Sequence, residues 1–156
     1  MMIDRLATFI ATFGYSGLLR PAPGTWGSLA ALPCGWLILW QGGTGALLVA
    51  ALIASAVGFW AAERHMDHHR TMHDPSEIVI DEAAGQWLAM LPLAATDWPG
   101  VIAAFILFRL FDIWKPGPVG WADRRLKGAA GVMADDIIAG LFAASCIWAV
   151  QYGLEM

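Results

Sequence analysis

The sequence predicts an all-α protein, a polytopic helical bundle embedded in a membrane, and three observations predict it. Apolar residues make up 58% of the chain and charged residues 14%, against about 45–50% and about 25% in soluble domains. Five apolar segments, 28–40, 45–62, 83–96, 98–114 and 137–152, recur along the 156 residues. If all five cross, every basic residue except Arg109 falls in the stretches 1–27, 63–82 and 115–136, all on one side. That asymmetry marks cytoplasmic loops.

Each segment has its own justification. Residues 1–27 open with Asp4 and Arg5 and a short amphipathic run, without the long apolar core or cleavage site of a secretory signal. Segment 28–40 is short for a crossing of about 20 residues, so it either spans or re-enters. Segment 45–62 is apolar all round, which soluble amphipathic helices are not. Segment 83–96 reaches spanning length only if its helix begins near Pro75, which would carry Asp81 and Glu82 about 10 Å along the axis. Segments 98–114 and 137–152 are long enough or nearly so. The nine tryptophans suit membrane–water interfaces. Length and the absence of internal repeats point to a single membrane-embedded domain over 1–156, with the amino terminus cytoplasmic and the carboxyl terminus periplasmic.

Composition also narrows the partners. Net charge is −4 and there is no basic arm, so nucleic acid is not an expected partner. Cys34 and Cys146 sit in apolar runs and read as packing residues.

Five stretches carry chemistry. In "HDPSEIVIDEAAGQ", Asp74, Pro75 and Glu77 resemble a helix N-cap, first position and N3 acid. That pattern leaves Asp81 and Glu82 without a capping role, so they pair with a cation or bind one. In "GVMADDIIAGLF", Asp135 and Asp136 open the last apolar segment. One acid would serve as a cap; two exceed what a cap needs. In "FRLFDIWKPGPVGWADRRLKGAAG", Asp112 lies near a helix C-terminus, where the dipole disfavours an anion, so Arg109, Lys115 or a metal is its expected partner. Lys115, Arg124, Arg125 and Lys127 form a basic group between acids. In "RPAPGTWGSLAALP", Gly24 and Gly27 permit close backbone approach, and Thr25 and Ser28 are possible N-caps. In "ERHMDHHRTMHD", His65, His68, His69 and His73 have helical spacings but no metal-binding signature, and read as a polar interfacial face.

Taken together, acids from separate polar stretches gather at one face with basic residues beside them. Hard oxygen ligands suit Mg²⁺. A carboxylate-bound Mg²⁺ flanked by Lys and Arg can handle a phosphate ester. At a membrane interface with apolar walls, a lipid phosphate fits. Two other classes remain open: a cation-coupled membrane transporter using the clustered acids, and a non-catalytic scaffold.

The blocks "GLLRPAPGTWGSLAALP", "DPSEIVIDEAAGQW" and "FRLFDIWKPGPVGWADRRLKGAAGVMADDIIAG", in this order over roughly residues 10–145, resemble the bacterial phosphatidylglycerophosphatase A family. The resemblance implies an Mg²⁺-dependent phosphatase of the bacterial inner membrane that converts phosphatidylglycerophosphate to phosphatidylglycerol in phospholipid biosynthesis. The family's motif acids fall on Asp74, Asp81, Glu82, Asp112, Asp123, Asp135 and Asp136, and its basic and small motif residues on Lys115, Lys127, Thr25, Gly27 and Ser28. On this basis Asp74, Asp81, Glu82, Asp135 and Asp136 are the expected metal ligands. Asp81, Glu82, Asp136 and Lys115 are expected to be catalytic. Thr25, Gly27, Ser28, Arg124 and Lys127 are expected to hold substrate, and Asp112 and Asp123 are further candidates. The site should face the cytoplasm, with membrane lipids around the bundle.

Overall fold

The fold is that of a computed structural model, which describes residues 2–69 and 75–155. It is helical, with no strand among the described residues. In chain order the helices are α1 (Met2–Ala11), α2 (Pro23–His69), α3 (Ile80–Ala89), α4 (Trp98–Trp114), α5 (Pro118–Arg125) and α6 (Gly128–Glu155), with a 3₁₀ turn at Ser16–Leu18. Two of them, α2 and α6, are long and apolar enough to cross a membrane.

α2 is two arms rather than one rod. Gly43 interrupts it with φ 67° and ψ −171°, a conformation open to glycine and closed to most residues with a Cβ. Gly27 packs on Val79, and Gly58 packs on Ile80. Residues 27 and 58 would lie about 46 Å apart on a straight helix, so α2 must reverse for both to meet neighbouring residues. The expected segments 28–40 and 45–62 are these two arms, and the first is helical from Pro23 on.

The third segment differs from expectation. Its helix starts at Ile80, not near Pro75, and ends at Ala89. Ten residues span about 15 Å, half of a hydrocarbon core of about 30 Å, so α3 alone cannot cross. Pro92 lacks an N–H and disfavours helical geometry in the residue before it, which stops the helix within the apolar run. Glu77 therefore lies outside the helix and does not occupy N3. It accepts a hydrogen bond from His65 Nε2 at 3.0 Å, while His65 Nδ1 lies 3.2 Å from Thr8 Oγ1. His65 is 1% exposed, so it is a buried tie between α1, α2 and the approach to α3, not part of an interfacial polar face. His73 and Asp74 lie outside the described residues.

α3 is the centre of the bundle. Nine of its residues are buried. It meets α6 through backbone rather than side chains: a Cβ on Gly140 would come within 2.3 Å of the Gly85 carbonyl oxygen, and one on Gly85 within 2.6 Å of the Asp136 carbonyl oxygen. Small residues at such crossings allow the close packing that drives helix association in lipid. Replacing Gly140 by valine should force the helices apart, lower stability by about 1–3 kcal/mol, and reduce the apparent Tm of the detergent-solubilised protein.

α4 begins with a well-formed cap: the Asp97 side chain accepts from the Gly100 N–H at 2.8 Å. It buries Val101, Ala104 and Phe108 and exposes Ile102, Ile106, Leu110 and Ile113. An exposed apolar stripe of that length is unusual on a soluble monomer.

Candidate active site

The close α3–α6 crossing determines where the acids meet. Asp81 and Glu82 stand in the first turn of α3, where the helix dipole favours anions. Asp136 lies four residues before Gly140 on α6, beside that turn. α6 begins at Gly128, so Asp135 and Asp136 sit two turns inside it and cap nothing. Asp112 is in the last turn of α4, and Lys115 is its C-cap in the left-handed region, with φ 50°. Few residues with a Cβ adopt that conformation; here it accompanies a side chain that reaches back to α6.

These residues surround a polar cavity of about 270 Å³, bordered on its other side by the amino-terminal end of α2, including Gly24 and Thr25, and by Ser76 and Ile78. Two groups of three carboxylates offer oxygens within 4.8 Å of one another: Asp81, Glu82 and Asp136, and Asp112, Asp135 and Asp136. Asp136, 3% exposed, belongs to both.

The two groups differ in how far protein cations already serve them. Arg109 donates to Asp112 at 2.7 Å, the pairing expected three residues apart, and Lys115 donates to Asp135 at 2.7 Å and to Asp123. The first group has weaker support: Arg109 is 3.9 Å from Glu82 Oε1, and Glu82 Oε2 is buried without a hydrogen-bond partner. Burial opposes the charge on Lys115, yet its hydrogen bonds to Asp123 and Asp135 outweigh that and hold the ammonium above its usual range. An orphaned oxygen among hard carboxylate donors fits a divalent cation, so of the two groups Asp81, Glu82 and Asp136 are the better suited to hold one.

The remaining expectations separate. Thr25 borders the cavity. Ser28 is fully buried and donates to the Gly24 carbonyl at 2.9 Å, within α2 rather than at its cap. Arg109 approaches its Oγ at 3.5 Å. Gly27 is packed against Val79 and makes room for that segment. Arg124 and Lys127 are exposed and do not line the cavity among its described residues. Asp123 reaches the site through its ion pair with Lys115.

One site residue was not anticipated as such: Arg109 was legible as a partner for Asp112, but not as a wall of the cavity. Gly24, expected to permit close backbone approach, does face that space: a Cβ there would lie 2.2 Å from Glu82 Oε1 and 3.2 Å from the Arg109 guanidinium.

Comparison with known proteins adds an independent line. The profile of the family described as phosphatidylglycerophosphatase A matches residues 9–151. The chain is similar to phosphatidylglycerophosphatase A of Haemophilus influenzae, 36% identical over 88% of this chain and 83% of that protein. It is likewise similar to phosphatidylglycerophosphatase A of Escherichia coli, 36% identical over 88% of this chain and 78% of the relative. A protein of Bacteroides thetaiotaomicron named as a putative phosphatidylinositol-3-phosphatase is 38% identical over 88% of this chain and 89% of its own length. No solved structure matches the chain.

Proposed function

The chain belongs to the phosphatidylglycerophosphatase A family, and on that premise we propose that it hydrolyses the terminal phosphate monoester of phosphatidylglycerophosphate, giving phosphatidylglycerol and inorganic phosphate. The observation that carries the reading is the cavity in which two carboxylate triads share Asp136 with Arg109 and Lys115 beside them. Relatives named for lipid phosphate monoesters support the same chemistry.

Asp81, Glu82 and Asp136 would hold a divalent cation, with Mg²⁺ the metal that hard oxygen donors and a phosphate substrate favour; Asp112 and Asp135 offer a second set of oxygens. When bound, such an ion polarises phosphoryl oxygens and lowers the pKa of water. The protein's own residues do the rest. Lys115 and Arg109 present donors to the equatorial oxygens, where charge develops in the transition state. Asp123 and Asp135 hold the Lys115 ammonium in place and charged. Gly24 and Thr25 leave room for the ester at the start of α2. Replacing Lys115 by glutamine should lower kcat by about a hundredfold while the protein still purifies folded, as steady-state phosphate release would record.

We place the acid end of the bundle at the cytoplasmic interface. Trp36, Trp40 and Trp98 stack together, with centroid distances of 6.1 and 5.1 Å, and Trp36 donates to the Ala95 carbonyl at 2.8 Å. Trp148 and Tyr152 stack at 5.6 Å. Both clusters lie about 18–24 Å along their helices from the acid level, toward the opposite interface, where aromatic residues are enriched. In this reading the two arms of α2, together with α4 and α6, cross, while α3 and the connection after it complete the third passage.

The direct test is phosphate release from the detergent-solubilised protein supplied with phosphatidylglycerophosphate. Release supports the reading. Cation flux through protein-bearing liposomes without phosphate release would instead identify a transporter.

A further inference from the structure

One cavity has no part in that chemistry. An apolar groove of about 500 Å³ lies between α1 and the first arm of α2, lined by Phe9, Ile10, Phe13, Ala30, Cys34 and Ile80. Its volume is that of a small-molecule site, and its walls offer almost nothing polar. Phe13 is braced edge-on against Trp87, with centroids 6.0 Å apart, which stiffens one side.

The groove's position relates it to the active site. Ile80 directly precedes Asp81, and Ile78, two residues earlier, borders the polar cavity. Along α2, Ala30 and Cys34 stand about 7 and 13 Å beyond Thr25, which also borders that cavity. The groove thus runs from the level of the carboxylates toward the opposite end of the bundle. Ile3, Leu6 and Phe9 form an exposed apolar face on α1. Such a face suits a helix lying at a lipid surface, and Phe9 belongs to both that face and the groove.

We propose that this groove holds one acyl chain of the lipid phosphate while its head group occupies the polar cavity; the proposal rests on the lipid phosphatase reading. A chain entering the groove leaves other lipid tails that are equally apolar, so it gains no hydrophobic free energy. What it gains is orientation. A chain held along α2 fixes the approach of the phosphate ester to the carboxylates, and misplacement by an ångström is enough to cost a large factor in rate.

The test is to fill the groove. Cys34→Trp should lower kcat/KM for dioleoyl phosphatidylglycerophosphate by at least about tenfold and leave the dibutyryl substrate, whose chains do not reach Cys34, unchanged. Unchanged values for both substrates would overturn the proposal. If both fall, tryptophan has disturbed the fold, and a second measurement decides. In a Cys146→Ser background, which leaves the exposed Cys34 as the sole thiol and the carboxylates intact, a dioleoyl phosphonate analogue of the lipid, which cannot be hydrolysed, should slow maleimide labelling and its dibutyryl counterpart should not. Equal labelling rates would overturn the groove assignment while leaving the phosphatase reading intact. Absence of phosphate release by the unsubstituted protein from either lipid would instead remove the phosphatase reading, and the proposed occupant with it.

Discussion

Asparagine in place of Asp136 is expected to give a folded protein whose phosphate release falls at least about a thousandfold, at the upper end of what loss of one electrostatic group costs. Asp136 is the residue common to both carboxylate triads, so one change from oxygen to amide nitrogen impairs each. The amide keeps the size of the side chain, and the backbone contact between Asp136 and Gly85 is untouched. The acid is 3% exposed and close to like charges, so neutralising it should leave the metal-free protein at least as stable as before, the usual relation between function and stability at such sites. Phosphate release together with the apparent Tm checks both halves. Asp123→Asn is the control. Asp123 is 41% exposed and belongs to neither triad, so its loss should weaken the hold on Lys115 and cost far less. Comparable losses in the two variants would mean that Asp136 is not the hub of the site.

Parts of this architecture are legible in the sequence for identifiable reasons. Charges in an apolar chain are few, so each is informative: the basic stretches, the Asp81–Glu82 and Asp135–Asp136 pairs and the Arg109–Asp112 spacing all appear before any coordinates. Gly43 falls inside the expected linker between the first two segments, and the break is there. Partners across the bundle are another matter. A segment that is apolar all round has no preferred face, so periodicity cannot say which side of α6 meets α3. Gly85 and Gly140 are therefore invisible as the contact that brings the acids together. The same limit applies to Glu77: its spacing from Asp74 suits a capping box, yet the tertiary hydrogen bond from His65 wins, because a buried imidazole without a partner costs more than a surface cap contributes. Arg124 and Lys127 look equivalent to Lys115 in a basic loop. What separates them is that the left-handed cap at Lys115 accompanies a side chain on Asp135, while α5 leaves the others exposed.

Removal of divalent cations should have the largest effect of all: phosphate release falls to background in EDTA and returns when Mg²⁺ is added in excess. Charge is the reason. Asp81, Glu82, Asp112, Asp135 and Asp136 border one cavity with Arg109 and Lys115 as its cations, and both cations are already engaged with carboxylates. A phosphate monoester brings further negative charge into that space. At about 4 Å, each unit pair of like charges costs about 4 kcal/mol even in a partly screened environment, so the substrate and the acids cannot share the cavity unless something positive joins them. Protonating the carboxylates would relieve the repulsion but would remove the donors that the chemistry requires. A resident cation relieves it and keeps them. The same reasoning gives a readout separate from turnover. A ligand that binds the folded state alone stabilises it by about 2.7 kcal/mol at a hundred times its Kd, so Mg²⁺ should raise the apparent Tm of the substrate-free protein. It should raise that of Asp136→Asn far less. Full activity in EDTA, or an equal thermal shift in the two proteins, would show that the acids serve the fold rather than a metal.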